Sequence, residues 1–217
     1  MDNENINRDK MAWAQKVVDD LNNSTDKYVV YRTSRPITDI KHMLTTSVEL
    51  YGDNVAFMQR FEKNEPFKSI TYNEAFDTVN SLGTALVNRG LKGKRIAVIG
   101  ENCYQWATSY LAVICGTGVV VPLDKELGAG ELKQLCIEAE VSAVMFTEKY
   151  AETFKEMKGS GDTSIELLIK LNGHKEFEDM LTWSGLIAEG KSLMDGGDRS
   201  FVDAEIAYDE MSELLFT

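Results

Sequence analysis

Proline, cysteine and histidine are scarce in this chain, with three prolines, three cysteines and two histidines among 217 residues. Cys103, Cys115 and Cys136 are odd in number and lack the close paired spacing of a zinc site, so neither a disulfide framework nor a zinc ribbon is encoded. Their expected state is the reduced, buried thiol. His42 and His174 stand too far apart in the chain to propose a metal site or a general base. Positive charge is also in short supply. Lys and Arg number 23 against 35 Asp and Glu, a formal charge of −12 that repels a phosphate backbone or an anionic bilayer at long range. No apolar run approaches the roughly 20 residues of a membrane span. The first ten residues, MDNENINRDK, are polar where a signal peptide is basic and then apolar. The expectation is therefore a cytoplasmic globular protein with no nucleic-acid partner and no transmembrane segment.

What is present is an apolar content of 43%, sufficient for a substantial core, and one stretch of unusual definition. The run RIAVIGENCYQWATSYLAVICGTGVVVPLD, from Arg95 to Asp124, reads as a βαβ unit. Ile96 to Ile99 and Val119 to Leu123 are short apolar runs that do not alternate with polar residues, the pattern of parallel strands covered on both faces. Between them Asn102 is a candidate N-cap, and Trp106, Tyr110, Val113 and Ile114 recur at helical spacing before Gly116 and Gly118.

Elements of the same kind surround this unit. A leader of residues 1–26 carries a helix around Met11 to Leu21, with Trp13, Val17 and Leu21 on its docking face, and residues 27–217 form the α/β body. Tyr28 to Tyr31 reads as extended, and Thr38 as the N-cap of a helix through Ile40, Leu44, Val48 and Tyr51. Val55 to Phe61 and Lys68 to Tyr72 predict an antiparallel hairpin at the edge of the sheet. Thr71-Tyr72-Asn73-Glu74 fits a capping box that opens a helix carrying Val79, Leu82 and Leu86 and ending at Gly90. After Asp124 the order is helix 130–139, strand 143–147, helix 149–158, strand 165–171 and helix 176–189, which makes a mostly parallel sheet in an α/β fold. Lys191 to Arg199, with Gly196-Gly197, reads as the most flexible stretch. The apolar run Leu214-Leu215-Phe216, with no cap or polar tail after it, predicts that the chain is cut there.

Chemistry-bearing motifs are few. Gly185 to Ser192 satisfies the phosphate-loop formula G-x-x-x-x-G-K-[ST], but it follows a helix and its interior residues favour helix, where a phosphate loop must leave a strand. Gly100 follows a strand, yet the two later glycines of a dinucleotide fingerprint are absent. Asp124 lies at a strand's carboxyl end, where open α/β sheets bind ligands, although a turn-forming Asp after Pro-Leu accounts for it more simply. No G-x-S-x-G elbow occurs.

The order of motifs resembles the N-terminal part of the AMP-forming acyl-CoA synthetases, of the adenylate-forming superfamily. Ile70-Thr71-Tyr72-Asn73-Glu74 and Leu82-Gly83 match one family segment, and Glu101, Asn102, Trp106, Leu111, Ala112, Gly116 and Val121-Pro122-Leu123-Asp124 fall in register with a second. Phe177 to Ser192 resembles the helix and "EG" turn that precede the nucleotide loop in long-chain fatty acid members. The resemblance implies a three-layer α/β/α fold with a mostly parallel sheet and an antiparallel edge hairpin, the N-terminal subdomain of the adenylate-forming large domain. It also implies that a fatty acid is activated with ATP and Mg2+ as an acyl adenylate and passed to the thiol of coenzyme A. By the same resemblance Thr217 is the first residue of the phosphate loop and the one cofactor-binding position carried over, with no catalytic or metal-binding residue assigned. A piece ending there is expected to be inactive alone and to self-associate through the surface left uncovered. Two alternatives stand beside this: a complete non-enzymatic α/β module that binds a small ligand, and an amino-acid- or aryl-acid-activating member of the same superfamily.

Overall fold

The computed structural model describes residues 3–23, 35–173, 178–207 and 209–216. The expected extended piece at Tyr28 to Tyr31, together with His174 and Thr217, lies outside them. Helix α1 (Asn3–Asn22) is longer than expected, and the leader's buried face differs from the predicted one. Ala14 and Val18 are buried while Trp13, Val17 and Leu21 are exposed, so the helix is turned by one residue, roughly 100°, from the predicted orientation. Helix α2 (Ile40–Tyr51) is capped by Asp39, whose Oδ1 accepts from the His42 amide at 2.8 Å. Thr38, the predicted cap, instead donates its hydroxyl to Asp39, and its backbone N–H donates to His42 Nδ1. His42 therefore serves the local structure of this helix start.

Strands β1 (Val55–Gln59) and β2 (Lys68–Thr71) form the expected antiparallel hairpin, but as a two-stranded sheet of its own and not as an edge of the main sheet. Thr71 then opens α3 (Tyr72–Leu86) with the reciprocal capping box, its hydroxyl accepting from the Glu74 amide while the Glu74 carboxylate accepts from the Thr71 amide. A wide turn at Gly90, in the left-handed region at φ 81, leads to the main sheet. That sheet comprises β3 (Arg95–Ile99), β4 (Val119–Pro122), β5 (Ala143–Phe146), β6 (Leu167–Lys170) and β7 (Leu181–Thr182), all parallel, in the order β4-β3-β5-β6-β7.

The helices α4 (Tyr104–Ala112), α5 (Ala129–Glu138), α6 (Ala151–Ser160) and α7 (Trp183–Asp195) complete three layers. Successive residues of each strand point to opposite faces, so β3 sends Ile96 and Val98 into one core with α3, α4 and α7, and Ala97 and Ile99 into the other with α5 and α6. This is why the strands read as continuous apolar runs. Helix α4 departs from its reading twice. Its N-cap is Cys103, whose Sγ accepts from the Trp106 amide, one residue after Asn102. Its innermost face is Tyr104, Gln105, Thr108, Ser109 and Ala112, with Trp106 and Tyr110 half-buried and stacked on each other at 5.6 Å. Thr108 returns its hydroxyl to the Tyr104 carbonyl, which lets a polar side chain pack against a sheet.

The final helix begins at Trp183, well after the predicted start, because Leu181-Thr182 pairs with β6 as a fifth strand and Thr182 accepts from the Gly185 amide as N-cap. Gly185 to Ser192 lies wholly inside α7, so the phosphate-loop pattern is helical, and what resembled an "EG" turn is mid-helix. An added Cβ at Gly190 would meet the Ser81 carbonyl oxygen of α3 at 1.7 Å. The glycine is there for close contact between helices. Lys191 to Arg199 ends α7, turns at Gly197 with φ 95, and leads to Phe201, which is wholly buried.

Candidate ligand crevice at the carboxyl ends of the sheet

Chain order places a switch point in the main sheet. From β3 the chain moves to β4 on one side and then returns to β5 on the other, so the crevice outside the carboxyl ends of β3 and β5 is where an open parallel sheet receives ligands. Gly100, the residue after β3, has φ 145, and a Cβ on it would come within 2.4 Å of the Thr147 side chain that ends β5. Glycine is therefore required for the two strand ends to approach. The Thr147 hydroxyl is buried beside it without a hydrogen-bond partner.

Glu101 follows and ties three loops together. Its carboxylate accepts from Lys125 Nζ at 2.7 Å, in the loop after β4, and from Lys149 Nζ at 2.6 Å, in the loop after β5. These hydrogen bonds, Lys125 first, pull the Glu101 pKa down to about 2, and Glu101 raises those of both lysines. The Tyr150 hydroxyl donates to the Lys125 carbonyl at 2.7 Å, and the Lys149 ammonium lies 4.8 Å from the Tyr150 ring centroid. Asp124 accepts from the Glu126 amide, the turn-forming role expected from its place after Pro122-Leu123. Further along, Lys170 is buried at the end of β6 and pairs with Glu148 at 3.0 Å, while Gly173, at φ 91, makes room for that glutamate.

The crevice thus presents two lysines held by one carboxylate, with Glu126 also 3.8 Å from Lys125, so that the lysine charges are met by neighbouring carboxylates. It contains no nucleophile and base in mutual contact, and among the described residues no group of His, Cys, Asp or Glu could hold a metal ion. Burial pushes the thiols of Cys115 and Cys136 up to about 12 and raises that of Cys103, so all three stay protonated at neutral pH. Nothing in the sequence alone marks Lys125 and Lys149. The available signal was their position just beyond two strand ends, readable only once strand order is known. Trp106, in register with a family motif, stacks on Tyr110 in α4. A cleft of about 320 Å³ lined by Lys92, Gly93, Thr117, Gly118, Glu205 and Ser212 lies at the opposite, amino end of the sheet.

Near the sequence-predicted nucleotide residue, the strand-like run is partly realised. The Val120 amide donates to the Ser212 carbonyl at 3.0 Å and the Leu214 amide to the Val120 carbonyl at 2.9 Å, one parallel bridge alongside β4. The Tyr110 hydroxyl donates to Glu213 at 3.0 Å.

Comparison with known proteins bears on this arrangement. Long chain acyl-CoA synthetase 1 of Arabidopsis thaliana is 33% identical over 112 residues, covering 50% of this chain and 17% of that protein. Long-chain-fatty-acid–CoA ligase 5 of Rattus norvegicus is 30% identical over 97 residues, covering 43% of this chain and 14% of the relative. The chain thus matches about a sixth of the length of these relatives. Among solved structures, a long-chain-fatty-acid-CoA ligase from Archaeoglobus fulgidus superposes on 82% of this chain and 34% of its own, with TM-score 0.65 at 17% identity. An anthranilate CoA ligase in complex with anthranoyl-AMP covers 81% of this chain and 31% of its own, with TM-score 0.66 at 14% identity. At such identities these structures establish the fold, that of adenylate-forming enzymes. The AMP-binding enzyme family matches residues 44–208, well over half of the sequence, and the chain belongs to that family.

Proposed function

We propose that this chain supplies the N-terminal scaffold of a long-chain acyl-CoA synthetase, the enzyme that activates a fatty acid with ATP as an acyl adenylate and transfers the acyl group to coenzyme A. The observation that carries the reading is the similarity to long-chain acyl-CoA synthetases over about half of this chain, together with a family match spanning 44–208. The crevice is compatible with it, because Glu101 gathers Lys125 and Lys149 at the switch point where open parallel sheets receive ligands. The described residues do not fit a Mg-ATP site: they offer neither a metal-binding cluster nor a glycine-rich loop between strand and helix. No step is therefore assigned through the nucleotide. Glu101 orients the two lysines, Gly100 and Thr147 set the spacing of the strand ends, and the paired sheet holds both fixed.

The test is acid-dependent exchange of pyrophosphate into ATP by the full-length protein. Long-chain fatty acids are expected to support exchange where acetate, benzoate and amino acids do not. Exchange driven by an aryl or amino acid, or none at all, overturns the reading. On its own the 217-residue chain is expected to be inactive and to self-associate through the exposed Met211, Leu215 and Phe216, so that Leu215→Glu shifts it toward monomer in light scattering.

A further inference from the structure

The β1–β2 hairpin is a sheet of two strands, and a ribbon of that size is marginal in water, so its place on the molecule is set by what grips it. Its base is held through the backbone: the Tyr72 amide donates to the Asn54 carbonyl at 3.1 Å and the Asn73 amide to the Gly52 carbonyl at 3.0 Å. Its far end is held by side chains. Phe57 and Phe61 meet the Tyr104 ring edge-on, with centroids 5.2 and 6.4 Å apart, and Tyr104 meets Trp183 in the same way at 5.7 Å. Gln59, the last residue of β1, makes the polar part of this contact. Its Oε1 accepts from the Tyr104 backbone amide, and its Nε2 donates to Gln105 Oε1 at 2.8 Å. Tyr104 is the first residue of α4, and a first-turn amide has no partner within its own helix. The local cap, Cys103 Sγ, takes the Trp106 amide instead. A residue 45 positions away in the chain, on a different sheet, therefore completes the start of α4.

That helix start is one end of a loop that forms the crevice. From Gly100, at φ 145, the chain runs through Glu101 and Asn102 to the cap of α4. The first end is fixed by β3 and the close approach of Gly100 to Thr147, the second by Gln59, and Glu101 lies between them. A carboxylate that reaches two lysines from different loops, at 2.7 and 2.6 Å, tolerates little displacement of its own backbone. We propose that Gln59 is a positioning residue for the crevice, setting the path from Gly100 to Cys103 and so holding Glu101 where it gathers Lys125 and Lys149. The hairpin is thereby a working part of the candidate ligand site although it belongs to a separate sheet. The inference rests on the geometry of the crevice and not on the acyl-CoA synthetase reading, so its test needs neither substrate nor turnover.

The test is the reactivity of the two lysines toward trace acetic anhydride in the intact 217-residue protein, read residue by residue by mass spectrometry. Pairing with Glu101 raises the pKa of both, which keeps their amines protonated and slow to label; Glu126 beside Lys125 and Tyr150 beside Lys149 act in the same direction and stay in place in every variant. Gln59→Met keeps the length of the side chain and removes both hydrogen bonds. Lys125 and Lys149 are expected to label roughly threefold faster in it, while Lys133 of α5, paired with Asp162 at 2.6 Å, labels at the wild-type rate. Gln59→Glu offers a carboxylate to the same amide at a helix N-terminus, where negative charge is favoured, and Gln105 can turn its amide to donate to it. That variant is expected to label as the wild type does. Unchanged labelling of Lys125 and Lys149 in Gln59→Met, with or without a lowered Tm, overturns the proposal. Acceleration of Lys133 in step with them reports a general loosening and overturns it too, as does a Gln59→Glu protein that labels like Gln59→Met.

Discussion

The two faces of the main sheet are built on different physics. Beneath α5 and α6 the core is ordinary: Leu132, Cys136, Phe146, Phe154 and Leu168 fill volume, and glycines on those helices meet nothing. Beneath α3, α4 and α7 the packing depends on backbone approach. Gly190 touches the Ser81 carbonyl, Gly83 admits the Phe201 ring, and α4 turns Thr108 and Ser109 toward the sheet. One face tolerates a shortage of side-chain volume poorly; the other tolerates added volume poorly. That difference decides where substitutions hurt.

The largest effect belongs to the volume-filled face. Phe154→Ala removes a wholly buried ring packed 5.3 Å from Phe146, and a loss of about 3–5 kcal/mol in urea unfolding is expected. A loss below about 1 kcal/mol means that the face can collapse around the gap and that the contrast between faces is overdrawn.

A matched pair of glycine substitutions sharpens the comparison. Gly190→Ala and Gly130→Ala each gain about 0.5–1 kcal/mol of intrinsic helix stability. At Gly190 the new methyl drives into a backbone carbonyl that cannot rotate away, and overpacking of about 1–3 kcal/mol or more outweighs the gain. At Gly130 of α5 nothing lies within 4 Å, so the gain survives. Opposite signs in chemical denaturation are expected. The same sign at both positions breaks the contrast.

The smallest effect is at the carboxyl-end crevice, which both faces share. Glu101 has a pKa of about 2 when folded and 4.5 as its ordinary value, so its pairing stabilises the fold above about 4.5, and that contribution is lost as pH falls toward 2. Glu74, held down by its capping-box hydrogen bonds to Thr71, acts in the same direction. Glu101→Gln is expected to flatten the acid limb of the Tm-against-pH curve while changing Tm at pH 7 little, since exposed ion pairs contribute modestly. An unaltered acid limb shows that the carboxylate does not organise the three loops in solution.

Legibility followed the range of the interactions. The capping box at Thr71, the apolar strands Ile96 to Ile99 and Val119 to Leu123, and the helix starting near Gly130 were readable because their causes lie within a few residues. The start of α7 was misplaced because Leu181-Thr182 becomes a strand only by pairing with Ile169 and Lys170. Periodicity places Trp13 on the docking face of α1, whereas the folded chain buries Ala14 and Val18, because an amphipathic pattern reports a stripe and not what lies opposite it. Of the crevice, Glu101 and Asp124 stood inside recognisable wording, whereas Lys125 and Lys149 looked like ordinary surface lysines until strand order brought their loops to one carboxylate.

The sequence by itself determined the alternation of strands and helices, the two-sided burial of the sheet and the family, since apolar period, caps and motif wording are local properties of the chain. Tertiary structure alone decided that the hairpin stands apart from the main sheet, that Gly83, Gly116 and Gly190 exist to admit a ring or a backbone, and that Glu101 gathers two lysines. Those outcomes depend on distances between residues tens of positions apart. A glycine or a lysine carries no trace in its own neighbourhood of what the folded chain will set against it.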